Sequence, residues 1–269
     1  MAGLFSLFDY MKPGRGVPKD PPPKHKVLLF IEILIRKFWN IVRVNLLFTV
    51  FNIPALVIAF FLTNILSIST GYIVVDIVFR LAAASVFIAL PLITTGPAQA
   101  GMTYVLRNYS MERHAFILLD FKEHALSNLK QSLAICAIDI IAFVAMFVSL
   151  NFYWDMISVS ILYTAGFGLS ALVFIIFLMM HLFIYPMLVS FKLTVKQIYK
   201  NALIFAILKF FPNLLILALC ASLTLVTFAN PLFGALLFIL ITNSLIGFVI
   251  NFYANPVIVK YMDRGENGS

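Results

Sequence analysis

Hydrophobic residues come in six long, nearly unbroken runs, near 45–66, 72–95, 132–153, 161–187, 211–229 and 235–254. Each is close to the roughly 17–25 residues that a helix needs to cross the hydrocarbon of a bilayer. Within the runs apolar residues follow one another without the in–out alternation of a transmembrane strand. The pattern therefore predicts spanning helices and excludes a barrel. Three connections, 67–71, 154–160 and 230–234, are short and carry no Lys or Arg, which pairs the runs into three hairpins. The expected fold is an all-α polytopic membrane protein with about six transmembrane helices.

The segments ahead of the odd-numbered runs have a different rhythm. Over 27–44, Glu32, Arg36, Asn40 and Arg43 recur at helical spacing on one face, with Trp39 and aliphatic residues on the other. That is the pattern of an amphipathic helix lying in the headgroup plane, its basic face toward anionic lipid. Residues 103–127 and 192–209 read similarly, and Lys192, Lys196 and Lys200 stand at successive i,i+4 positions. An Asn-Leu pair opens each odd-numbered run (Asn45-Leu46, Asn128-Leu129 and Asn213-Leu214), the asparagines being 83 and 85 residues apart. Proline marks the matching end of each even-numbered run, at Pro91 and Pro97, Pro186 and Pro256. The unit would be an interfacial helix followed by a hairpin, three times over. Asn and Pro are also common at helix ends, so the same pattern arises without a repeat. A parallel threefold unit would differ from the inverted repeats of many transporters.

Composition strengthens the membrane reading. Hydrophobic residues make up 62% of the 269 and charged residues 11%, against about 45–50% and about 25% in an average soluble domain. The net charge of +8 would raise nucleic acid as a partner in a soluble chain. Here it does not, because the basic residues flank the apolar runs. Eighteen of the 19 Lys and Arg lie before run one, between runs two and three, between runs four and five, or after run six. The positive-inside rule makes that side cytoplasmic and puts both ends there, in the cell (inner) membrane. Arg80 is the exception. The expected organisation is a segment 1–26 with a Pro-rich linker (Lys12 to Pro23), a six-helix membrane domain 27–258 and a cytoplasmic tail 259–269. The stretch Met1 to Met11 has neither a basic start nor a small-residue cleavage site, so it does not read as a signal peptide.

Little chemistry is legible. Cys136 and Cys220 lie inside apolar runs, with no Cys/His spacing for zinc and no disulfide framework. Ionisable residues inside spans are costly and often functional, and Asp139 is the deepest, about eight residues or roughly 12 Å into run three. His181 lies at similar depth in run four, so the two can pair within one hairpin, as a proton or substrate site or as glue between helices. Asp76 and Arg80, one turn apart in run two, form an outer-face ion pair that either meets a solute or lets Arg80 snorkel to water. The stretch Thr94-Thr95-Gly96-Pro97-Ala98-Gln99-Ala100 sets Gly96 and Ala100 at small-xxx-small spacing for close packing. Pro97 disfavours continuous helix there, leaving either backbone amides for an anion or a simple exit turn. Asn64, Asn151, Asn243 and Asn251 read as helix glue or end caps. Asp120 and His124 share a helix face but match no metal motif, so neither a metal nor a cofactor is expected. Nothing spells a catalytic triad, a nucleotide loop or paired catalytic carboxylates.

Asn45-Leu46-Leu47-Phe48, the stretch Leu90-Pro91-Leu92-Ile93-Thr94-Thr95-Gly96-Pro97-Ala98, Asp120-Phe121 and Asn128-Leu129-Lys130-Gln131 together resemble the YesL family. Its members are bacterial polytopic membrane proteins of unknown function. The resemblance covers most of the chain and is strongest over 38–135. In the family a Pro-Ile-Val-Thr-type motif follows the Asn-Leu-Leu span closely. Here Pro54 stands at that place and the matching Pro-x-x-Thr-x-Gly comes at 91–96. Genes of this family often neighbour carbohydrate-uptake genes, so the resemblance implies a role associated with transport and a carbohydrate transporter or signalling protein as partner. The expected function is a non-enzymatic component of solute uptake, with the lipid bilayer as its setting. The alternative is a scaffold or sensor whose basic interfacial helices bind anionic lipid or a cytoplasmic partner.

Overall fold

A computed structural model of the protein describes residues 25–66, 76 and 94–266. Among the described residues every element is helical. The helices are α1 (Lys26–Leu66), α2 (residues 94–110), α3 (Ile117–Ser127), α4 (Leu129–Asp155), α5 (Ile161–Leu188), α6 (Val195–Leu208), α7 (Phe210–Phe228), α8 (Pro231–Leu237) and α9 (Asn243–Glu266). A π-helical turn, Phe238–Thr242, joins α8 to α9.

Four stretches are long and apolar enough to cross a membrane, Leu129–Asp155, Ile161–Leu188, Phe210–Thr227 and Leu232–Met262. They coincide with the last four apolar runs and mark a multi-pass membrane protein. Run two, 72–95, lies almost wholly outside the described residues, and run one, 45–66, forms the second half of α1.

The chain's start differs from expectation. Instead of an interfacial helix followed by a separate span, α1 is one helix of 41 residues, or about 61 Å at 1.5 Å per residue. Arg43-Val44-Asn45-Leu46 contains no glycine, proline or cap that would end a helix. At the other two junctions there is a break. Asn128 forms a turn between α3 and α4. Lys209 separates α6 from α7, where Pro212 in the first turn of α7 cannot donate back to Leu208 and so stops α6 from running on.

The remaining boundaries are set by local chemistry. Ser160 caps α5 by accepting from the Leu162 N–H. Thr194 and Gln197 form a reciprocal capping box at the start of α6. At the end of α2 Arg113 N–H bonds Asn108 C=O and Glu112 N–H bonds Tyr109 C=O, a Schellman turn with Glu112 left-handed at φ 57°.

Burial is concentrated at the end of the bundle where the basic residues lie. One buried cluster joins α1, α2, α3 and α9 around Ile41, Met102, Leu106, Tyr109, Phe121 and Phe248. A second joins α4, α5, α6 and α9 around Ile135, Phe183, Met187, Ile198 and Phe205. α2 stands between them, giving Met102 to the first and Ala100 to the second. Away from that end the helices are bare. In α4 only Ser132 and Ile135 are buried, while Ile141, Phe147, Val148 and Trp154 are exposed, which suits lipid rather than water.

Candidate functional site

Asp139 and His181 face each other across the α4–α5 hairpin. Antiparallel neighbours joined by a short turn bring the basic-end part of α4 opposite that of α5, so a separation of 42 positions closes into one contact. The His181 Nε2 lies 3.1 Å from Asp139 Oδ2, with the side chains 29% and 20% exposed. Tyr199 of α6 completes the group by donating its hydroxyl to Asp139 Oδ1 at 2.6 Å, with the Ile135 carbonyl at 3.3 Å as a second acceptor. The His181 Nδ1 lies 2.9 Å from the Phe177 carbonyl.

This geometry fixes a proton inventory. A carbonyl can only accept, so Nδ1 carries a hydrogen. One further proton lies between Nε2 and Oδ2. Whether it rests on nitrogen as an imidazolium–carboxylate pair or on oxygen as a neutral pair, the two side chains together are uncharged. That makes the arrangement tolerable at membrane depth, where an isolated charge is costly. The Tyr199 phenol stays protonated, because burial and then its bond to Asp139 raise its pKa. The trio can hold and pass one proton, and it ties α6 to the α4–α5 hairpin.

Tyr199 was not legible as part of this group, since a tyrosine on an interfacial helix ordinarily marks the headgroup belt. Its i+3 relation to Lys196 sets it beside the basic face, which gave no hint of a partner on α4.

Two asparagines do more than open a span. Asn45 is fully buried. Its Nδ2 donates to the Phe238 and Ile239 carbonyls at 2.9 and 2.7 Å, and its Oδ1 accepts from Ser244 N–H at 2.8 Å. Both carbonyls lie in the π turn Phe238–Thr242, so Asn45 ties α1 to that turn. Asn213, also fully buried, donates to the Phe205 and Ala206 carbonyls at the end of α6 and accepts from the Tyr253 hydroxyl at 2.6 Å. Asn128 reaches only locally, to the His124 carbonyl at 2.9 Å and Ser127. Asn151 and Asn251 donate to carbonyls four residues back in their own helices.

The remaining candidates are scattered. Gly96 packs against α4, where a Cβ would fall 2.7 Å from the Ser132 carbonyl oxygen. Ala100, four residues on, is fully buried, so small residues do let α2 and α4 approach closely. Gly101 makes the same kind of backbone approach to Phe121 of α3. Pro97 is buried within α2. Asp120 accepts the Phe116 N–H at 2.8 Å and so fixes the start of α3. His124 stacks on Tyr104 with ring centroids 3.3 Å apart, and burial lowers its pKa. Asp120 and His124 therefore do not converge. Glu112 pairs instead with Arg36 of α1. Asp76 is half-buried and partnered, whereas Arg80 and Pro91 lie outside the described residues.

Two clefts open at the basic end. One of about 170 Å³, between α2 and α9, is lined by Ser110, Phe252, Asn255 and Val259, and Asn255 donates to Ser110 at 2.8 Å across it. The other, about 270 Å³, lies among α1, α2 and α3 and includes Thr94, Pro97 and Lys122. Neither is lined by Asp139 or His181. No family model, curated protein or solved structure matches the chain.

Proposed function

We infer that this protein is a non-enzymatic component of solute uptake in the cell membrane, working as an accessory to a transporter rather than as the conducting path. The observation that carries this reading is the self-contained Asp139–His181–Tyr199 trio. Both carboxylate oxygens and both imidazole nitrogens are engaged by protein groups, so the hydrogen bonding of the deepest ionisable pair among the described residues is met within the protein rather than by a solute. The basic residues of 27–44, 103–127 and 192–209 orient the chain with both ends cytoplasmic. They give a six-span bundle whose buried, interlocked end faces the cytoplasm. Carbohydrate as the solute class, and a bacterial setting, come from the resemblance to the YesL family.

The test is a mild-detergent pull-down of the tagged protein with mass spectrometry of proteins and small molecules. A transporter subunit in stoichiometric amount is expected. A protein that comes down alone with a sugar bound, and loses it on Asp139→Asn or His181→Ala, would overturn the accessory reading.

A scaffold or sensor role is the second reading, favoured by exposed Lys196 and Lys200 on α6 and exposed Lys192 in the connection just before it. It predicts that replacing all three by Gln releases a soluble partner or weakens lipid binding, while Asp139→Asn does neither.

A further inference from the structure

The cleft among α1, α2, α3 and the start of α4 is lined mainly by apolar side chains, with Thr94 and Lys122 as its polar ones. Phe51, Pro97, Ala98, Ala125, Leu126 and Leu129 make its walls. Phe51 lies six residues beyond Asn45, about 9 Å further along α1 from the basic end. Lys122, on α3, also lines the cleft. It has no ion-pair or hydrogen-bond partner among the described residues, since Asp120 is engaged with the Phe116 N–H and Glu112 with Arg36. Leu118, Leu119 and Leu126 are exposed on α3, as expected of a helix seated at the level of the headgroups.

We propose that this cleft is a binding site for one anionic glycerophospholipid, with an acyl chain along the Phe51–Leu129 wall and the phosphate at Lys122. Three observations select this occupant. The apolar walls suit a hydrocarbon chain and offer a hydrophilic solute almost nothing. Lys122 is the one cation among the lining residues, and it complements an anionic head beside an apolar tail. The volume of about 270 Å³ matches part of one chain rather than a protein helix. The lipid would bridge α3 to α1 and α2 where Gly101 already brings α2 against Phe121. The inference rests on α1, α2, α3 and Leu129 at the start of α4, and stands or falls separately from the reading of the Asp139 trio.

Purified full-length protein is reconstituted in nanodiscs of phosphatidylcholine with 20% phosphatidylglycerol, extracted in mild detergent, and its retained lipid counted by native mass spectrometry. One lysine near an anionic headgroup gives about a five-fold preference. The wild type should therefore retain one phosphatidylglycerol about five-fold over its share of the bilayer. Lys122→Gln should bring retention to parity, while Lys196→Gln, on the exposed face of α6, leaves it unchanged. Leu126→Asp, at the exposed wall, should reduce retention of both lipids. Equal retention of the two lipids by the wild type, an equal effect of Lys196→Gln and Lys122→Gln, or undiminished retention in Leu126→Asp would each overturn the proposal.

Discussion

The α4–α5 hairpin and the α7–α9 hairpin follow similar sequence rules and are held in opposite ways. Each begins after a shorter helix, α3 or α6, with an Asn at or near the joint. In the later hairpin Asn213 is fully buried and bonded on both ends of its amide, to α6 and to α9. In the earlier one Asn128 bonds only its own neighbourhood. There the tie between hairpin and α6 is made by titratable groups, Tyr199 to Asp139 to His181. α6 is thus gripped from one side by a neutral amide and from the other by a proton-bearing trio. Neutral amides in a dry site hold at any pH. A carboxylate–imidazole pair holds only while one proton sits between its members. Fixed anchorage and adjustable anchorage meet on one helix.

The comparison can be broken most severely at the amides. Asn45→Ala would leave two carbonyls and an N–H unpaired in a fully buried site, and interhelical bonds in membranes are worth about 0.6–2 kcal/mol each. A loss of about 2–4 kcal/mol is expected, read as a lowered thermal midpoint in detergent, and Asn213→Ala should fall just below it. An unchanged midpoint would mean that the amides are incidental. Asp139→Leu strands the His181 Nε2 in a half-buried place and leaves the Tyr199 hydroxyl only the Ile135 carbonyl, and should cost about 2 kcal/mol. Asp139→Asn keeps an acceptor for Tyr199 and a donor for His181, so a loss under about 1 kcal/mol is expected. If the two variants were equally damaging, the charge rather than the hydrogen bonding would be what holds the hairpin.

Smaller effects sharpen the picture. Tyr199→Phe removes one hydroxyl and should cost about 1 kcal/mol, with faster amide exchange in α6 than in α7. His124 supplies a pH test outside the spans. Burial depresses its pKa, so the fold prefers the neutral ring. The stability it contributes is present above the ordinary histidine pKa and is lost as pH falls below it. The wild type should weaken between pH 7 and pH 5 by a small amount that His124→Gln abolishes. A slope that survives the substitution would place the titration elsewhere.

The sequence revealed the spans well because continuous apolar runs need no partner to be recognised. Run four, 161–187, differs from α5 by one residue at its end, and run three, 132–153, falls inside Leu129–Asp155. The meeting of Asp139 with His181 followed from depth and hairpin geometry. Tyr199 stayed hidden because a pairing from a third helix depends on how α6 packs, which periodicity does not encode. The continuity of α1 was misjudged for a related reason: amphipathic and spanning segments differ in composition, yet composition alone breaks no helix. Asn45 was visible as a start signal, but its partners lie 193 and 194 residues away.

Those distant partners exist because of the five-residue π turn Phe238–Thr242. A π turn amounts to one residue more than an α-helix would hold, and one residue rotates everything after it by about 100°. The faces of α8 and α9 are therefore out of phase, and no single helical wheel drawn through the last apolar run can show which residues share a side. The same extra residue is a removable part. Deleting Leu240 would let the run close into regular α-helix and turn α9 away from Asn45, so that shortening the chain by one residue should reproduce the instability of Asn45→Ala.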